Sequence, residues 1–238
     1  MANSLTFHKR GFSGLFNTAA LVAALCAPSF AQADILNFEN RPDLSILSNK
    51  QHATMGNFWV ETYDGTDFAD GSVALLGTND SCAGLACPVN NKTRYLSVLN
   101  DGYFVFGMND NAVFRVQSLN ASFIGNGQPS FPSTAGLLWL IGLDAKGDYV
   151  NDVELDLKGP VGGSFNFANY QMGAFGNTAY SMVRVQGLAC ADAGPCSLDS
   201  GLANFAIDDI VTVPEPTSWA LMGLGLLGLA AFSRRAAR

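Results

Sequence analysis

The feature that most constrains this chain is an alternation. From Asp34 to about Val213, apolar and polar residues take turns along short runs, and Gly, Asn, Asp and Pro punctuate them at intervals of roughly ten residues. No segment of this body shows the recurring apolar spacing of a helix face, so its core must come from strands. Tyr95-Leu96-Ser97-Val98-Leu99, Asn100-Asp101-Gly102 and Tyr103-Phe104-Val105-Phe106 read as a hairpin, with Asp-Gly supplying positive φ at the turn. Further strands are expected at 111–119, 137–143, 150–157, 165–170, 179–186 and 204–212. So many short strands, with no internal repeat or linker, predict one all-β domain over residues 34–212. Its expected form is an antiparallel jelly-roll β-sandwich.

Both ends of the chain depart from this pattern. Lys9 and Arg10 precede the uncharged run 19–27, and Pro28 and the small-residue pattern Ala31-Gln32-Ala33 follow. Residues 1–33 therefore read as a signal peptide cut after Ala33 and before Asp34. A lipoprotein signal at Cys26 is the competing reading, but Leu25 is too bulky for the position before that cysteine. At the other end, Thr217 to Ser233 is free of charge and is followed by Arg234, Arg235 and Arg238. As a helix these 17 residues would reach about 25 Å at ~1.5 Å per residue, just short of a hydrocarbon core of roughly 30 Å. The arginines favour the cytoplasmic side, leaving the bulk of the chain outside. Within the same run Gly223-Leu224-Gly225-Leu226-Leu227-Gly228 matches a dinucleotide-binding pattern, but no strand or βαβ unit surrounds it, and the match is accidental.

The hydrophobic run is preceded by Val213-Pro214-Glu215-Pro216. Pro-Glu-Pro, a short hydrophobic helix with Trp219 near its start, and a terminal arginine cluster together resemble the PEP-CTERM sorting signal of Gram-negative bacteria, over residues 213–238. The resemblance implies export by the secretion machinery and a transient anchor in the membrane through a C-terminal transmembrane sorting helix. It also implies recognition by an exosortase as processing partner and delivery to the cell surface or the extracellular matrix. Two prolines would keep this stretch extended and free of helix at the membrane face. A plain tail anchor with a proline-containing linker is the alternative.

Charge and cysteines fit an exported protein. The chain carries 13 Lys and Arg against 20 Asp and Glu, a net charge of −7. Without residues 1–33, eleven bases face the same twenty acids, giving −9. That balance excludes the basic surface nucleic acid requires. Apart from Cys26, the cysteines form two close pairs, Cys82 with Cys87 and Cys190 with Cys196, each around a Gly-containing loop. Four cysteines allow three connectivities; an oxidising compartment favours two local disulfides, and zinc is disfavoured by the loose spacing and the lack of a supporting histidine.

Asn37-Phe38-Glu39 on the expected first strand and Phe205-Ala206-Ile207-Asp208-Asp209-Ile210 on the last resemble the terminal strands of jelly-roll carbohydrate-binding modules. In those modules the first and last strands lie side by side and hold a structural calcium. The resemblance implies Glu39 with Asp208 or Asp209 as Ca2+ ligands, and no other cofactor. Acidic residues on a solvated strand end account for the same pattern. Among the aromatics, Trp139 sits in an apolar run and reads as core. Trp59, Glu61 and Tyr63 share one strand face, with core packing the better expectation for Trp59. Catalysis has little to build on. His52 is the only histidine after residue 33, no nucleophile elbow or phosphate loop is present, and Asp152, Glu154 and Asp156 stand in a row on one strand face rather than across a cleft. The sequence thus points to a non-catalytic structural or adhesive protein of the exopolysaccharide envelope. A calcium-dependent glycan-binding module is the alternative, and a glycoside-active enzyme comes last.

Overall fold

A computed structural model of the chain describes residues 33–39, 45–65, 72–78, 82, 84–125, 128, 130–191, 194–198, 201–215 and 223. The signal segment up to Gln32 and all of 216–238 but residue 223 lie outside the described residues, and so does the expected transmembrane helix. Among the described residues, no helix is long and apolar enough to cross a membrane. Residues 32–215 make one compact unit.

Fourteen strands follow in chain order: β1 Asp34–Leu36, β2 Ile46–Ser48, β3 Gln51–Met55, β4 Phe58–Tyr63, β5 Ser72–Gly77, β6 Tyr95–Val98 and β7 Tyr103–Met108, then β8 Phe114–Phe123, β9 Thr134–Leu143, β10 Tyr149–Lys158, β11 Ala168–Gln171, β12 Met182–Cys190, β13 Cys196–Ser197 and β14 Phe205–Pro214. Within residues 33–215 the only helical turn among the described residues is a 3-10 turn at Phe175–Asn177. The strands form two antiparallel sheets. The first runs β11-β8-β14-β6-β5-β2, with β1 also paired to β14; the second runs β10-β9-β12-β7-β4-β3, with β13 beside β12. The first and last strands lie side by side, Asp34 opposite Thr212 and Leu36 opposite Ile210.

The period of two sorts each strand into an inner and an outer set. Phe58, Val60, Phe104, Phe106, Leu138, Leu140, Val183 and Val185 from the second sheet join one buried cluster with Leu96, Val98, Phe114, Val116, Phe205 and Ile207 from the first. Rings meet across the layer, Phe104 and Phe205 with centroids 6.4 Å apart. Each such side chain contributes about 1.5–3 kcal/mol on burial.

Three expectations need correction. Tyr95–Phe106 is not a hairpin: β6 pairs with β5 and β14, whereas β7 pairs with β4 and β12, so the turn carries the chain from one sheet to the other. The positive φ belongs to Asn100 (56°) and Asp101 (60°), not to Gly102. The turn is held from outside, because the buried Asp101 carboxylate accepts the N–H groups of Gly201 (2.5 Å) and Ala203 (2.8 Å). Second, β2, β3 and β5 are strands beyond those expected: β2 and β3 each form one edge of a sheet, and β5 lies between β2 and β6. Third, β14 continues to Pro214, past the expected domain end at 212, because β8 offers Arg115 and Phe114 as partners for Val213 and Pro214.

Candidate functional site

The outer face of the second sheet gathers the aromatic and polar side chains. On β4 the inward residues Phe58, Val60 and Thr62 are buried, while Trp59, Glu61 and Tyr63 are half-buried on the other side. Trp59 is therefore not core, contrary to expectation, and neither is Trp139, which alternates outward between buried Leu138 and Leu140 on β9. Register brings these faces together: Tyr63 stands opposite Tyr103, Tyr103 opposite Gln186, and Gln186 opposite Trp139, one row across four strands. A second row runs His52, Glu61, Val105, Arg184, Ile141 and Asp152.

The rows are tied by ring and hydrogen-bond contacts. Tyr63 and Tyr103 stack at 4.9 Å, and the Arg184 guanidinium lies 3.8 Å from the Tyr103 ring centroid. Arg184 also donates from Nη2 to Gln186 Oε1. Among the described residues Arg184 pairs with no carboxylate, and its buried Nε has no hydrogen-bond partner. The Tyr63 hydroxyl donates to Glu61 Oε1 at 2.8 Å; burial and then this bond push its pKa up to about 12. His52 stacks on Trp59 at 5.6 Å and stands 3.7 Å from Glu61. The indole of Trp59 lies over Gly107, where a Cβ would come within 2.7 Å of the ring.

At the β10 edge, Asp152 accepts from Trp139 Nε1 at 2.8 Å and from the Tyr149 hydroxyl. The Tyr149 bond, then the Trp139 bond, hold the Asp152 carboxyl below its ordinary range, and the Tyr149 phenol is raised chiefly by the same contact. Asp152, Glu154 and Asp156 are exposed along this strand, with Val153, Leu155 and Leu157 turned the other way. Residues of this kind, flat rings with carboxylate, amide and guanidinium groups between them, match ligands that are both hydroxylated and apolar-faced.

The outer face of the first sheet is covered over β6 and β14. Tyr95, Leu99, Ile124 and Ala206 form a satellite cluster with Cys82, against which Leu85, Cys87 and Phe167 pack. Cys82 is bonded to Cys87 and Cys190 to Cys196, the latter pair joining β12 to β13. Asp208 lies beneath the same cover, fully buried; its Oδ2 accepts from Asn91 Nδ2 (2.9 Å) and Thr93 Oγ1 (2.8 Å), and its Oδ1 accepts the Asp209 N–H (2.9 Å). Burial pushes its pKa up to about 6. Glu39 lies beyond β1 rather than on the first strand as expected, and it reaches the same segment, accepting the Arg94 N–H at 2.7 Å. Asp209, at φ 48°, sits on a bulge where β14 gains a residue over β8, and Asn120 Nδ2 donates to it at 3.1 Å. Among the described residues, no three of His, Cys, Asp or Glu gather as a metal-binding group.

Of the expected signal-cleavage residues, Ala31 lies outside the described residues; Ala33 is exposed, and Asp34 opens β1 with its carboxylate accepting from Asn57 Nδ2 at 2.6 Å. Of the sorting residues, Val213 and Pro214 end β14 and Glu215 follows; Pro216, Arg234 and Arg235 lie outside the described residues. The aromatic row across Tyr63, Tyr103 and Trp139, with Arg184 and Gln186, was missed in the sequence. The alternation of each strand was visible there, but not the register that joins them.

Residues 212–235 match the PEP-CTERM protein-sorting motif. The motif marks the chain as exported and anchored in the membrane before processing. No curated protein matches the chain in sequence. Among solved structures, a DUF4465 family protein from Bacteroides caccae is similar at 10% identity and TM-score 0.53, over 77% of this chain and 100% of that one. A second DUF4465 family protein, from Bacteroides ovatus, aligns at 13% identity and TM-score 0.45, over 79% of this chain and 100% of that one. The structure of TmCBM61 in complex with β-1,4-galactotriose aligns at 12% identity and TM-score 0.32, over 67% and 90%. The first of these shares the fold; the looser two carry no conclusion.

Proposed function

We propose that this exported protein is processed by an exosortase and acts without catalysis as an adhesive component of the cell surface or exopolysaccharide matrix, holding glycan on the outer face of its second sheet. One observation carries the reading: Trp59, Tyr63, Tyr103 and Trp139 stand on one outward sheet face, with Glu61, Arg184 and Gln186 between them. Buried in the core, the same aromatics would serve stability alone. On this face they offer apolar area with polar groups at the edges. The jelly-roll form of sandwich belongs to the same reading, and the strand order, with β12 between β7 and β9 and β14 between β6 and β8, supports it.

The charges on the face narrow the ligand. Glu61 and Asp152 each lie two strands from Arg184, about 10 Å at ~4.8 Å per strand, and residues 34–215 carry eight bases against twenty acids, a net charge of −12. A polyanion would be repelled, so an uncharged polysaccharide is the expected partner. The test is retention of residues 34–215 in gels containing the producing organism's exopolysaccharide. The wild type should be retarded at both low and high salt, and Trp59→Ala should weaken retention at least about tenfold, roughly 1.4 kcal/mol. An unretarded wild type would leave a passive structural protein.

Calcium is proposed as a second element of this reading. Asp208 is a buried carboxylate whose hydrogen-bond donors are an amide, a hydroxyl and a backbone N–H, none of them charged. With Glu39 and Asp208 supplying carboxylates, Asn91 and Thr93 would add oxygens of the hard kind calcium takes. A melting temperature that chelator leaves unchanged would remove the ion.

A further inference from the structure

The geometry points to a second task for the last strand: while the domain is folded, β14 and β8 hold the first part of the sorting motif, and Arg115 competes with the processing enzyme for Glu215. The matched motif begins at residue 212, so its first four residues belong to the folded body. Thr212, Val213 and Pro214 stand opposite Val116, Arg115 and Phe114 of β8. Glu215 then donates its N–H to Val113 O at 3.1 Å, and its Oε1 lies 3.0 Å from Arg115 Nη2.

The hold is one-sided. On the opposite edge of β14 the partner strand β1 begins at Asp34, opposite Thr212, so, among the described residues, 213–215 are held only by β8 and by Val113 just before it. Pro214 has no N–H to donate, which leaves the Glu215 amide and its ion pair as the final clasp. An enzyme that takes this stretch as an extended chain needs the main-chain and carboxylate groups β8 is using. Residues 213–215 must therefore unzip before capture, a local opening at the low-stability end of a strand. The ion pair is partly exposed, its side chains 43% and 36% accessible, so it slows this opening modestly and less at high salt.

The inference rests on the motif being processed, and two readouts on the full-length chain separate its parts. Amide exchange of Glu215 in detergent reports the clasp, and pulse-labelling in the producing bacterium times conversion of the anchored precursor. In the wild type the Glu215 amide should exchange at least about tenfold more slowly than in a free peptide, as expected of a bonded backbone group. In Arg115→Gln, Glu215 exchange and precursor conversion should both quicken about twofold to fivefold, the range of an exposed ion pair. Exchange at Ile207 should stay unchanged, and Arg115→Lys should fall near the wild type. Free-peptide exchange at Glu215 in the wild type would overturn the clasp. Faster exchange with unchanged conversion, or conversion slowed in Arg115→Gln, would overturn the competition. A wild-type precursor that is never shortened would overturn the proposal together with the processing it rests on.

Discussion

Among the described residues, the outer face of the first sheet is roofed over β6 and β14, and the outer face of the second stands open. Over β6 and β14, the disulfide-bonded turn at Cys82–Cys87 and the chain that follows seal Tyr95 and Ala206 to zero exposure. Over β4, β7, β12 and β9, no described segment does the same, and Trp59, Tyr63, Tyr103 and Trp139 stay half-buried among polar groups. Each face carries a tyrosine, yet Tyr95 bonds inward to Thr78 O (3.1 Å) and meets Phe167 edge-on, whereas Tyr103 is stacked between Tyr63 and Arg184. The same residue type is a structural rivet under cover and a half-buried, partly accessible ring where cover is lacking. The comparison also sorts the acids: Asp208 is buried under the roof and Asp152 exposed on the open face, and their pKa values move in opposite directions.

The most severe way to break this contrast is to empty the roofed side. Tyr95→Ala should cost about 3–5 kcal/mol, as aromatic truncations in a core do, while Tyr103→Ala should cost under about 1 kcal/mol. Urea midpoints measure both, and equal losses would mean that the second face is not open.

A smaller effect follows from Asp208. Its folded pKa, about 6, lies above the ordinary aspartate value of 3.8. The native state thus binds the proton more tightly than the unfolded chain, and this contribution is fully present below pH ~4 and lost as pH rises through ~6. The loss amounts to at most about 3 kcal/mol at ~1.4 kcal/mol per pKa unit. In chelator, the melting temperature of Asp208→Asn relative to wild type should rise between pH 4 and 7. Added calcium should flatten that slope if the ion binds there.

The smallest effect sharpens the open face itself. Gly107→Ala places a methyl within 2.7 Å of the Trp59 ring, so the indole must lift. Glycan retention should fall severalfold, under about 1 kcal/mol, with little change in melting temperature. Unaltered retention would show that Trp59 binds nothing in its flat pose.

Much of the fold was legible because period two is a local property. The run Val150 to Leu157 displayed its acidic and apolar sides in the sequence, and β10 keeps them apart. The turn at Asn100-Asp101-Gly102 was equally legible as a turn and misleading as a hairpin. A two-residue turn normally joins neighbours in one sheet, but here Asp101 is bonded to Gly201 and Ala203, a hundred residues away in the chain, and the strands part. Trp139 was misread for a related reason. In Leu137-Leu138-Trp139-Leu140-Ile141 every residue is apolar, so composition hides the alternation that places Trp139 outward beside Asp152.

By itself the sequence determined that the chain is exported and what its body is built from. The sorting motif at 212–235 is a contiguous string that can be read residue by residue, and alternation between punctuating turns requires a strand-built body. Only the tertiary structure decided which outer face is roofed, which strands register Tyr63 with Tyr103 and Gln186 with Trp139, and that β8 clasps Glu215. The physical reason is that side-chain alternation follows from the geometry of one strand, whereas cover, register and clasp are contacts between segments distant in sequence. Those contacts are chosen by the packing of the whole sandwich.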